Sequence, residues 1–524
     1  MKILVRERIA DAGIDFLRRR FEVDVDFDSP LEEKIADYDA IIVRSATDVT
    51  AELIDRAERL KVIGRAGVGV DNVDVEAASR RGIVVANAPQ STIISAAEHA
   101  FGLLLALSRN IPQAHAALKE GRWERSRFAG LELADKTLGV VGFGRIGQQV
   151  ARRARAFEME VLAHDPYVAP ERFRDFGARM VESLEELLSE SDFVTLHLVL
   201  TEETRGLIDR TRLDAARDGI RIVNAARGEL VDEEALAEAL RSGKVAGAAL
   251  DVFSEEPYTG PLLELDNVIV TPHLGASTQE AQDRAGIIVA EQVAAALDGH
   301  LVTNAVNMPA VAAEDMEQLG PYLPLAAKLG ALAVELAGGN PTRLDFQYFG
   351  QLAERDTRLL TVAALNGIFQ DRVDQPVNYV NAPLVARERG VDVREESSAV
   401  SQDFTSLIAV TAFAGGERHA VAGTVSGRGQ RPRLVAALGY DLEVELDRLM
   451  LFAENDDRPG MIGALGRIVG EAGVNIANMA VSRNRLEARA LMALSVDSPV
   501  SDELLDRLRS EPGFVGARFI RLPE

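Results

Sequence analysis

Three residues in the middle of the chain have side chains suited to oxidising a hydroxyl group. Arg227, Glu256 and His273 each follow a short apolar run, in RIVNAAR, AALDVFSEE and VIVTPH. Neutral imidazole can accept a hydroxyl proton near neutral pH, and a neighbouring carboxylate orients the ring and stabilises the imidazolium. A guanidinium can hold a substrate carboxylate through two parallel hydrogen bonds. This combination predicts dehydrogenation of a 2-hydroxy acid, with a nicotinamide accepting the hydride.

Each of these residues also has a purely structural interpretation. Arg227 can be a surface arginine at a helix start, Glu256 an ordinary acid before a proline, and His273 a strand-end histidine bonded to backbone. Their occurrence together, each at the end of a strand-like run, favours the catalytic interpretation.

The glycine-rich segment at 142–147 predicts the cofactor. It reads Gly142-Phe143-Gly144-Arg145-Ile146-Gly147, follows the strand-like VVGF and opens the helical RIGQQVARRARAF. In that context glycines allow a tight turn, close approach of the backbone to a pyrophosphate, and close packing of helix on strand. Asp165 ends the next strand-like run, where a carboxylate binds a ribose 2′-hydroxyl and repels a 2′-phosphate. We therefore expect NAD; alternatively, the glycines only end a strand and Asp165 caps a turn.

Alternating strand-like and helical runs position these residues. Between 137 and 273 the strand-like runs are TLGVVGF, EVLAHD, DFVTLHL, GIRIVNAA, VAGAALDVF and NVIVTPH. This alternation predicts an α/β fold with a doubly wound parallel sheet, whose carboxyl edge carries the catalytic candidates. The first third is also α/β, and SAAEHAFGLLLALSR predicts a helix that opens with a capping box between Ser95 and Glu98.

The pattern changes after about residue 305. Helical segments give way to GNPTRLDFQYFG and the strand-like DFTSLIAVTAFAGG. From 446 to 524 the order strand, helix, two strands, helix, strand predicts a βαββαβ fold.

Composition and charge exclude several kinds of site and partner. The 524 residues include no cysteine, which rules out disulfides and thiolate chemistry, and the seven histidines show no spacing typical of a metal site. The net charge of −24 disfavours nucleic acid and anionic membranes, because their phosphates would be repelled. No apolar run reaches the ~18 residues that cross a bilayer, and MKILVRERIADAG does not resemble a signal peptide. We expect a cytoplasmic protein without a metal.

The basic residues are unusual in kind. Only seven of the 58 are lysines, while Asp and Glu number 82. An acidic surface with scarce lysine is typical of proteins kept soluble in concentrated salt. A GC-rich genome also favours arginine over lysine, so both explanations stay open.

From its start to about residue 305 the chain resembles the D-isomer-specific 2-hydroxy acid dehydrogenases. The similar segments are GRAGVGVDNVD, SAAEHAFGLLLALSR, VVGFGRIG, NAARGELVD, ALDVFSEEP and TPHLGAST. The resemblance implies that Arg227, Glu256 and His273 are the catalytic residues. It also implies that Asp251 contacts the nicotinamide end of the cofactor, and that Ala225 lines the cofactor site beside Arg227 and His273.

The resemblance further implies a domain arrangement. A flavodoxin-like substrate-binding domain at 1–97 and 278–305 would be interrupted by a Rossmann-type NAD-binding domain at 98–277. The active site would lie in the cleft between them. Members of the family are dimers or larger, so we expect a homodimer or homotetramer.

Within this superfamily the likeness is closest to the phosphoglycerate dehydrogenases. VRSATDVT and RWERSRF are similar to segments that bind the anionic substrate there, and the resemblance implies that the second does so from a neighbouring subunit. The resemblance implies NAD-dependent oxidation of D-3-phosphoglycerate, the first step of phosphorylated serine biosynthesis. A compact phosphate needs several donors. The substrate-binding residues would be Arg44, Ser45, Arg65, Gly67 and Arg125, although Arg65 and Arg125 can also be solvated surface arginines.

The C-terminal half resembles the regulatory part of the long members of this group. Residues 306–445 resemble their intervening domain, an allosteric substrate-binding-like domain, and 446–524 resemble an ACT domain. The resemblance implies L-serine as an inhibitor, contacted by Asp457 and Asn475, which can alternatively serve as a helix cap and a turn residue. Two other functions stay open: a dehydrogenase of another D-2-hydroxy acid, such as glycerate or 2-hydroxyglutarate, and a non-enzymatic NAD-sensing scaffold.

Overall fold

The computed structural model contains β-sheets in four successive parts of the chain. It describes residues 1–309, 313–370, 372–373, 375–401, 403–427, 429–484 and 488–523. Within those ranges no helix is both long enough and apolar enough to cross a membrane.

The first sheet is parallel, and its central strands are covered on both faces. Ile3, Ile41 and Ile63 are buried, as expected for such strands, whereas the edge strand at Glu22–Val25 is partly exposed. The strand order is β2-β1-β3-β4-β5, the flavodoxin-like order. The strands are β1 (Lys2–Val5), β2 (Glu22–Val25), β3 (Ala40–Val43), β4 (Val62–Arg65) and β5 (Val84–Ala86), and the helices are α1 (Asp11–Arg18), α2 (Ala51–Arg56) and α3 (Val75–Arg80).

The second sheet is the predicted doubly wound sheet, which confirms the fold class. All strands are parallel in the order β12-β11-β10-β9-β6-β7-β8, so the chain reverses direction of winding between β6 and β9. The strands are β6 (Thr137–Val141), β7 (Glu160–His164), β8 (Arg179–Met180), β9 (Phe193–Leu196), β10 (Ile220–Asn224), β11 (Val245–Leu250) and β12 (Val268–Val270). The helices are α4 (Ile93–Arg109), α5 (Ile111–Lys119), α6 (Arg145–Ala156), α7 (Pro170–Asp175), α8 (Leu184–Glu190), α9 (Arg210–Ala215) and α10 (Glu233–Ser242).

The chain returns to the first sheet after β12. Helix α11 (Gln279–Leu297) packs on α1 and β4. The approach needs two glycines: a Cβ at Gly64 would lie 2.7 Å from Val289 and Val293, and one at Gly13 would lie 2.7 Å from the carbonyl oxygen of Gly286. The two sheets are therefore joined by two crossings, one at α4 and one before α11.

The predicted capping box at Ser95 is wrong. Helix α4 begins two residues earlier, at Ile93, so Ser95 lies inside its first turn. The Ser95 hydroxyl instead bonds the hydroxyl of Thr278 at 2.7 Å, and Glu98 pairs with Arg153 at 2.8 Å. Both side chains serve contacts between distant segments, which local sequence reasoning could not anticipate.

The third sheet is mixed and is covered by helices. Its order is β14-β13-β15-β16-β17-β18, and only the β13–β14 pair is parallel. The strands are β13 (Arg343–Gly350), β14 (Asp392–Ser398), β15 (Ser406–Ala414), β16 (Glu417–Ser426), β17 (Arg431–Ala437) and β18 (Tyr440–Glu445). The helices are α12 (Ala313–Leu319), α13 (Tyr322–Leu336), α14 (Arg358–Phe369) and α15 (Ala382–Glu388).

The fourth sheet has the predicted βαββαβ order. Its strands are antiparallel in the order β20-β21-β19-β22. The elements are β19 (Leu449–Asp456), α16 (Met461–Glu471), β20 (Ile476–Asn484), β21 (Arg489–Val496), α17 (Asp502–Ser510) and β22 (Phe514–Arg521).

The third and fourth sheets share one apolar core. Along β19, Leu451 and Ala453 pack towards α16 and α17, while Met450 and Phe452 join the core of the third sheet. That core also takes Leu491 and Ala493 of β21 and Ile520 of β22. Period-two alternation thus makes both faces of the fourth sheet buried.

Candidate active site

The glycine loop between β6 and α6 has the geometry that a dinucleotide needs. Gly142 has φ +89°, and a Cβ there would lie 2.7 Å from the carbonyl oxygen of His197. A Cβ at Gly147 would lie 2.2 Å from the carbonyl oxygen of Gly142, so only glycine lets α6 approach β6 this closely. By contrast, nothing lies within 4 Å of a Cβ at Gly144. That open side is where a pyrophosphate can approach the backbone.

The start of α6 leaves room for an anion. Gly144 precedes the helix, and no side chain caps it. Arg145 is exposed and Ile146 half-buried in the first turn. Asp165, just after β7, accepts a hydrogen bond from the Phe143 amide at 2.8 Å. The helix amides, the helix dipole and this carboxylate together fit the pyrophosphate and ribose of NAD.

His273 and Glu256 form the predicted pair. The Nδ1 atom of His273 lies 2.9 Å from Oε2 and 3.2 Å from Oε1 of Glu256. A carboxylate only accepts, so Nδ1 carries the hydrogen and Nε2 is left as the acceptor. Glu256 is itself fixed by the amide of Phe253 at 3.1 Å. The imidazole is 48% exposed and can be reached by a substrate.

Asp251 lies beneath the loop that carries His273. Its side chain is 1% exposed, and its carboxylate accepts from the amides of Leu274 and Gly275 at 2.7 Å each and from the Thr271 hydroxyl at 2.5 Å. Its carbonyl oxygen accepts from the amide of His273 at 2.8 Å. His273 has φ +55°, a conformation that costs a non-glycine residue free energy and must be held by its surroundings. The hydrogen bonds of Asp251 hold His273 in this backbone conformation.

His99 of α4 completes this arrangement. Its Nε2 lies 3.0 Å from the Asp251 carboxylate and 3.1 Å from the Thr271 hydroxyl. Burial acts to raise the pKa of the Asp251 carboxyl, but the hydrogen bonds from His99, Thr271 and Leu274 outweigh it and hold the pKa below its ordinary value. Sequence reasoning missed His99 and Thr271. The resemblance also implied that Asp251 contacts the nicotinamide end of the cofactor, and that contact stays a prediction; its carboxylate oxygens are engaged by the donors described here.

Arg227 reaches across to the first sheet. The residue follows β10, where the Asn224 side chain donates to the Arg227 carbonyl oxygen at 2.8 Å. Its Nη2 lies 3.8 Å from the carboxylate of Asp71, in the loop after β4. Ala225, at the end of the same strand, is half-buried. Strands β10, β11 and β12 are parallel neighbours, so Arg227, Asp251 and His273 lie at one edge of the second sheet.

Arg65 lies near both Arg227 and Arg44. Arg65 ends β4, and its pKa is lowered, mainly by burial. The positive charges of Arg227 and Arg44 lower this pKa further, while the negative charges of Asp71 and Glu7 act to raise it. The Arg65 Nε atom is buried and has no hydrogen-bond partner among the described residues. A cluster of guanidinium groups with an unpaired donor has the chemistry to bind an anion.

The backbone around these arginines leaves space for one guanidinium and fixes the loop that carries another. A Cβ at Gly67 would lie 1.6 Å from Nη1 of Arg65, so the glycine leaves the space that the guanidinium occupies. The Arg44 amide donates to Glu7 at 2.8 Å, which fixes the loop after β3, and Ser45 is exposed beside it. We call Arg44, Arg65 and Arg227 the arginine cluster.

The remaining predicted residues lie elsewhere. Arg125 is exposed in the segment between α5 and β6, and no described contact joins it to the arginine cluster. Asp457 pairs with Arg483 at 3.2 Å, and the Asn475 amide donates to Asp497 at 2.6 Å. Asp457 follows the end of β19 and Asn475 precedes β20, so they lie at opposite ends of the fourth sheet. Within one chain the structure does not bring them together.

The described residues also include no group of three or more His, Cys, Asp or Glu side chains placed to hold a metal ion.

Three family models match successive parts of the chain. The D-isomer specific 2-hydroxyacid dehydrogenase, NAD binding domain, matches residues 101–275. The D-3-phosphoglycerate dehydrogenase intervening domain matches 318–437, and the ACT domain matches 449–513.

Similar proteins span the whole chain. D-3-phosphoglycerate dehydrogenase from Methanocaldococcus jannaschii is 43% identical over 526 residues, covering 100% of both chains. The enzyme of that name from Mycobacterium tuberculosis is 44% identical, covering 96% of both.

Solved structures match the first part of the chain. The TT0316 protein from Thermus thermophilus is 39% identical, with a TM-score of 0.54 over 58% of this chain and 100% of that one. A glyoxylate reductase from Paecilomyes thermophila is 33% identical, with a TM-score of 0.53 over 58% and 98%. The chain belongs to the D-isomer-specific 2-hydroxyacid dehydrogenases, in the long D-3-phosphoglycerate dehydrogenase form that also carries an intervening domain and an ACT domain.

Proposed function

We propose that this chain oxidises D-3-phosphoglycerate to 3-phosphohydroxypyruvate with NAD, the first step of phosphorylated L-serine biosynthesis. The observation that carries the proposal is the arginine cluster. Its Arg227 lies at the same edge of the second sheet as His273, and its Arg44 and Arg65 lie at the ends of strands of the first sheet. The substrate carries a carboxylate at one end and a phosphate at the other, with the reacting hydroxyl next to the carboxylate. A site for it needs a base and two places for anionic groups, and these residues supply them.

The proton is transferred by His273. Its Nε2 accepts the substrate hydroxyl proton, since Nδ1–H is committed to Glu256. The Glu256 carboxylate holds the ring in that tautomer and stabilises the imidazolium that forms. NAD, when bound, accepts the hydride. Asp251 and His99 act through the loop: they hold the His273 backbone in its positive-φ conformation.

Different arginines bind the carboxylate and the phosphate of the substrate. Arg227, nearest to the catalytic strand edge, binds the carboxylate and polarises the neighbouring oxygen. Arg44 and Arg65, with Ser45 and the Gly67 backbone, bind the phosphate from the first sheet. Arg125 would complete the phosphate site only from a second subunit, because it lies apart from the cluster in its own chain. This is the reason to propose a homodimer or homotetramer.

The cofactor is held by the glycine loop. Gly142 and Gly147 shape the turn, and Gly144 opens the side on which the pyrophosphate rests against the start of α6. Asp165 binds the adenosine ribose hydroxyls, because its carboxylate lies beside the loop and accepts from the Phe143 amide at its base.

A turnover assay tests the substrate. NADH formation is measured with 3-phosphoglycerate, D-glycerate, D-lactate and D-2-hydroxyglutarate in parallel. We expect kcat/KM to be highest for 3-phosphoglycerate. A higher value for an unphosphorylated acid would identify another D-2-hydroxy acid dehydrogenase, and no turnover with any of the four would favour an NAD-sensing scaffold.

Arg65→Gln sharpens this test. A charged hydrogen bond to phosphate is worth about a ten- to hundredfold change in kcat/KM for 3-phosphoglycerate. D-Glycerate, which lacks the phosphate, should lose much less. Arg56→Gln, an exposed arginine of α2, is the matched control and should behave as wild type. Equal losses for both substrates in Arg65→Gln would remove the phosphate assignment.

We also propose L-serine as an inhibitor, bound between two copies of the fourth sheet. β20 is an edge strand, and its Met479 and Val481 are 37% and 39% exposed. Antiparallel pairing of two such edges about a twofold axis would bring Asn475 of one copy towards Asp457 of the other. Asp457 can accept from the serine ammonium, and Asn475 can donate to and accept from its other groups.

Calorimetric titration tests the effector site. L-Serine should bind wild type and the control Asp441→Ala, an exposed acid on β18, but bind Asp457→Ala weakly or not at all. Equal binding to wild type and Asp457→Ala would remove the site, and no binding to wild type would remove serine as the effector.

For the domain limits we propose a substrate-binding domain at 1–97 and 278–305 and an NAD-binding domain at 98–277. An intervening domain would span 306–445 and a regulatory domain 446–524. Cleavage by a protease added in limiting amounts, followed by mass measurement of the fragments, tests the boundaries, which should fall between elements of different sheets.

A further inference from the structure

A cavity of about 860 Å³ lies where three of the sheets meet, away from every residue discussed above as catalytic or substrate-binding. From the first-sheet side it is lined by Val84 of β5 and by His300, just after α11. The third-sheet part of the chain contributes Asn366 of α14 to the lining. The fourth contributes Arg448, which precedes β19, and Arg521, at the end of β22.

The lining is suited to an anion. Arg448 and Arg521 are cationic, His300 becomes so when protonated, and no described lining residue is acidic. This bias is the reverse of the whole chain, in which 82 acidic residues outnumber 58 basic ones. A concave surface lined by one sign of charge concentrates small ions of the other sign. Uncharged hydrogen-bonding groups surround the arginines, and apolar side chains such as Leu323 and Val380 complete the wall.

One polar group of the lining lacks a partner. The Oδ1 atom of Asn366 is buried and accepts no hydrogen bond from the described residues. A buried amide oxygen without a partner is unfavourable, so such groups in folded proteins commonly mark a site for water or a ligand. Asn378, on the same wall, is already engaged: its amide donates to the carbonyl oxygen of Gly82 at 2.7 Å.

The cavity lies between two parts of the molecule that have few contacts with each other: the first sheet, and the third and fourth sheets together. The third and fourth sheets share a continuous core, whereas the buried clusters of the first sheet contain no residue beyond α11. Between these two parts the described contacts are few, and the bond from Asn378 to Gly82 is one of them. A small molecule bound to Arg521 on one side and His300 on the other would therefore bridge two separately packed bodies.

We propose that this cavity binds a small organic anion through its carboxylate or phosphate oxygens, and that the bound anion fastens the third and fourth sheets to the first. The site goes beyond the dehydrogenase reaction and does not depend on the identity of its substrate. Arg521 supplies the charge-assisted hydrogen bonds on one side and His300 supplies a donor on the other. The Oδ1 atom of Asn366 accepts a hydrogen bond from a hydroxyl group of the same molecule, such as the P–OH of phosphate.

The test is calorimetric titration of the full chain with inorganic phosphate and with malate, which stand for the two kinds of anion and each carry a hydroxyl group that can donate to Asn366. Arg521→Gln and His300→Asn should bind about ten- to hundredfold more weakly than wild type. Arg418→Gln, an exposed arginine on β16 with no contact to the cavity, is the matched control and should bind as wild type does. The active site also takes anions, so heat that disappears in Arg65→Gln is assigned there, and heat that disappears in Arg521→Gln is assigned to the cavity.

Asn366→Leu separates binding from folding. Leucine has a similar size and removes the unpaired amide, so the melting temperature should stay the same or rise while anion binding weakens. Phosphate should also raise the melting temperature of wild type more than that of Arg521→Gln. Identical isotherms for wild type, Arg521→Gln and His300→Asn would overturn the proposal, as would the absence of any binding heat beyond that of the active site. Binding of only one probe would support it and identify the anion class.

Discussion

The imidazole of His99 lies 3.0 Å from the carboxylate of Asp251, directly beneath the loop that holds His273 at φ +55°. Because α4 is also one of the two crossings between the first two sheets, His99 joins the catalytic loop to one of the connections between those sheets. From this placement we expect His99 to position the catalytic loop through Asp251.

Replacement of His99 should therefore slow catalysis. In His99→Leu the Asp251 carboxylate loses one of its donors, so the loop can shift, and a displacement of ~1 Å can cost about a hundredfold in kcat. Steady-state kinetics should show lower kcat with nearly unchanged KM for NAD. His115→Leu, an exposed histidine of α5, is the control. Parallel losses in kcat and in cofactor affinity would indicate general unfolding instead.

The catalytic assignment predicts a separation of chemistry from binding. His273→Ala should lower turnover by roughly three or more orders of magnitude, because proton transfer and imidazolium stabilisation are lost together. NAD affinity, measured by calorimetry, should stay close to wild type.

Arg227→Lys should also be severe. The ammonium is a point charge and cannot reproduce two parallel hydrogen bonds to a carboxylate. Arg205→Lys, an exposed arginine between β9 and α9, is the matched control. Near-wild-type turnover in Arg227→Lys would show that carboxylate binding lies elsewhere.

Cofactor preference should depend on Asp165. In Asp165→Ser the carboxylate that repels a 2′-phosphate is gone, so the ratio of kcat/KM for NAD to that for NADP should fall. Asp175→Ser, an acid at the end of α7, controls for the change in net charge. A wild-type protein that already prefers NADP would contradict the assignment.

Stability should rise with salt if the acidic surface is an adaptation to salt. The net charge of −24 produces repulsion that salt screens, whereas exposed ion pairs lose little because each contributes little. The measurement compares melting temperatures in about 0.1 M and about 2 M potassium chloride. Equal values, with full activity at low salt, would favour the explanation from genome composition.

The sequence predicted the features that depend on local pattern. The second parallel sheet, the βαββαβ order and the glycine loop follow from periodicity and from glycines next to strands. For the first sheet the pattern indicated only α/β, and the flavodoxin-like arrangement came from the family resemblance. The contact between Nδ1 of His273 and Glu256 agrees with the predicted pairing, since both residues follow neighbouring parallel strands. The short β8 was missed because it has only two residues, Arg179 and Met180, and both are exposed.

Features that depend on distant contacts were not predictable. His99 occupies an ordinary position in an apolar helix, and only the packing of α4 beside β11 brings it to Asp251. The Ser95 hydroxyl bonds Thr278, 183 residues away, rather than capping its own helix. In the same way, the separation of Asp457 from Asn475 follows from strand directions in the fourth sheet, which residue types alone do not specify.

The common core of the third and fourth sheets has a consequence for how such chains can be shortened. Removing only the last segment would expose the side of the common core that Met450 and Phe452 of β19 and Leu491 and Ala493 of β21 now cover, and we expect the remainder to aggregate. Removing both segments leaves the first two sheets with their own cores intact. The viable short forms should therefore end soon after α11, which agrees with solved relatives that match 58% of this chain over their whole length. The third and fourth sheets should therefore be lost or gained together.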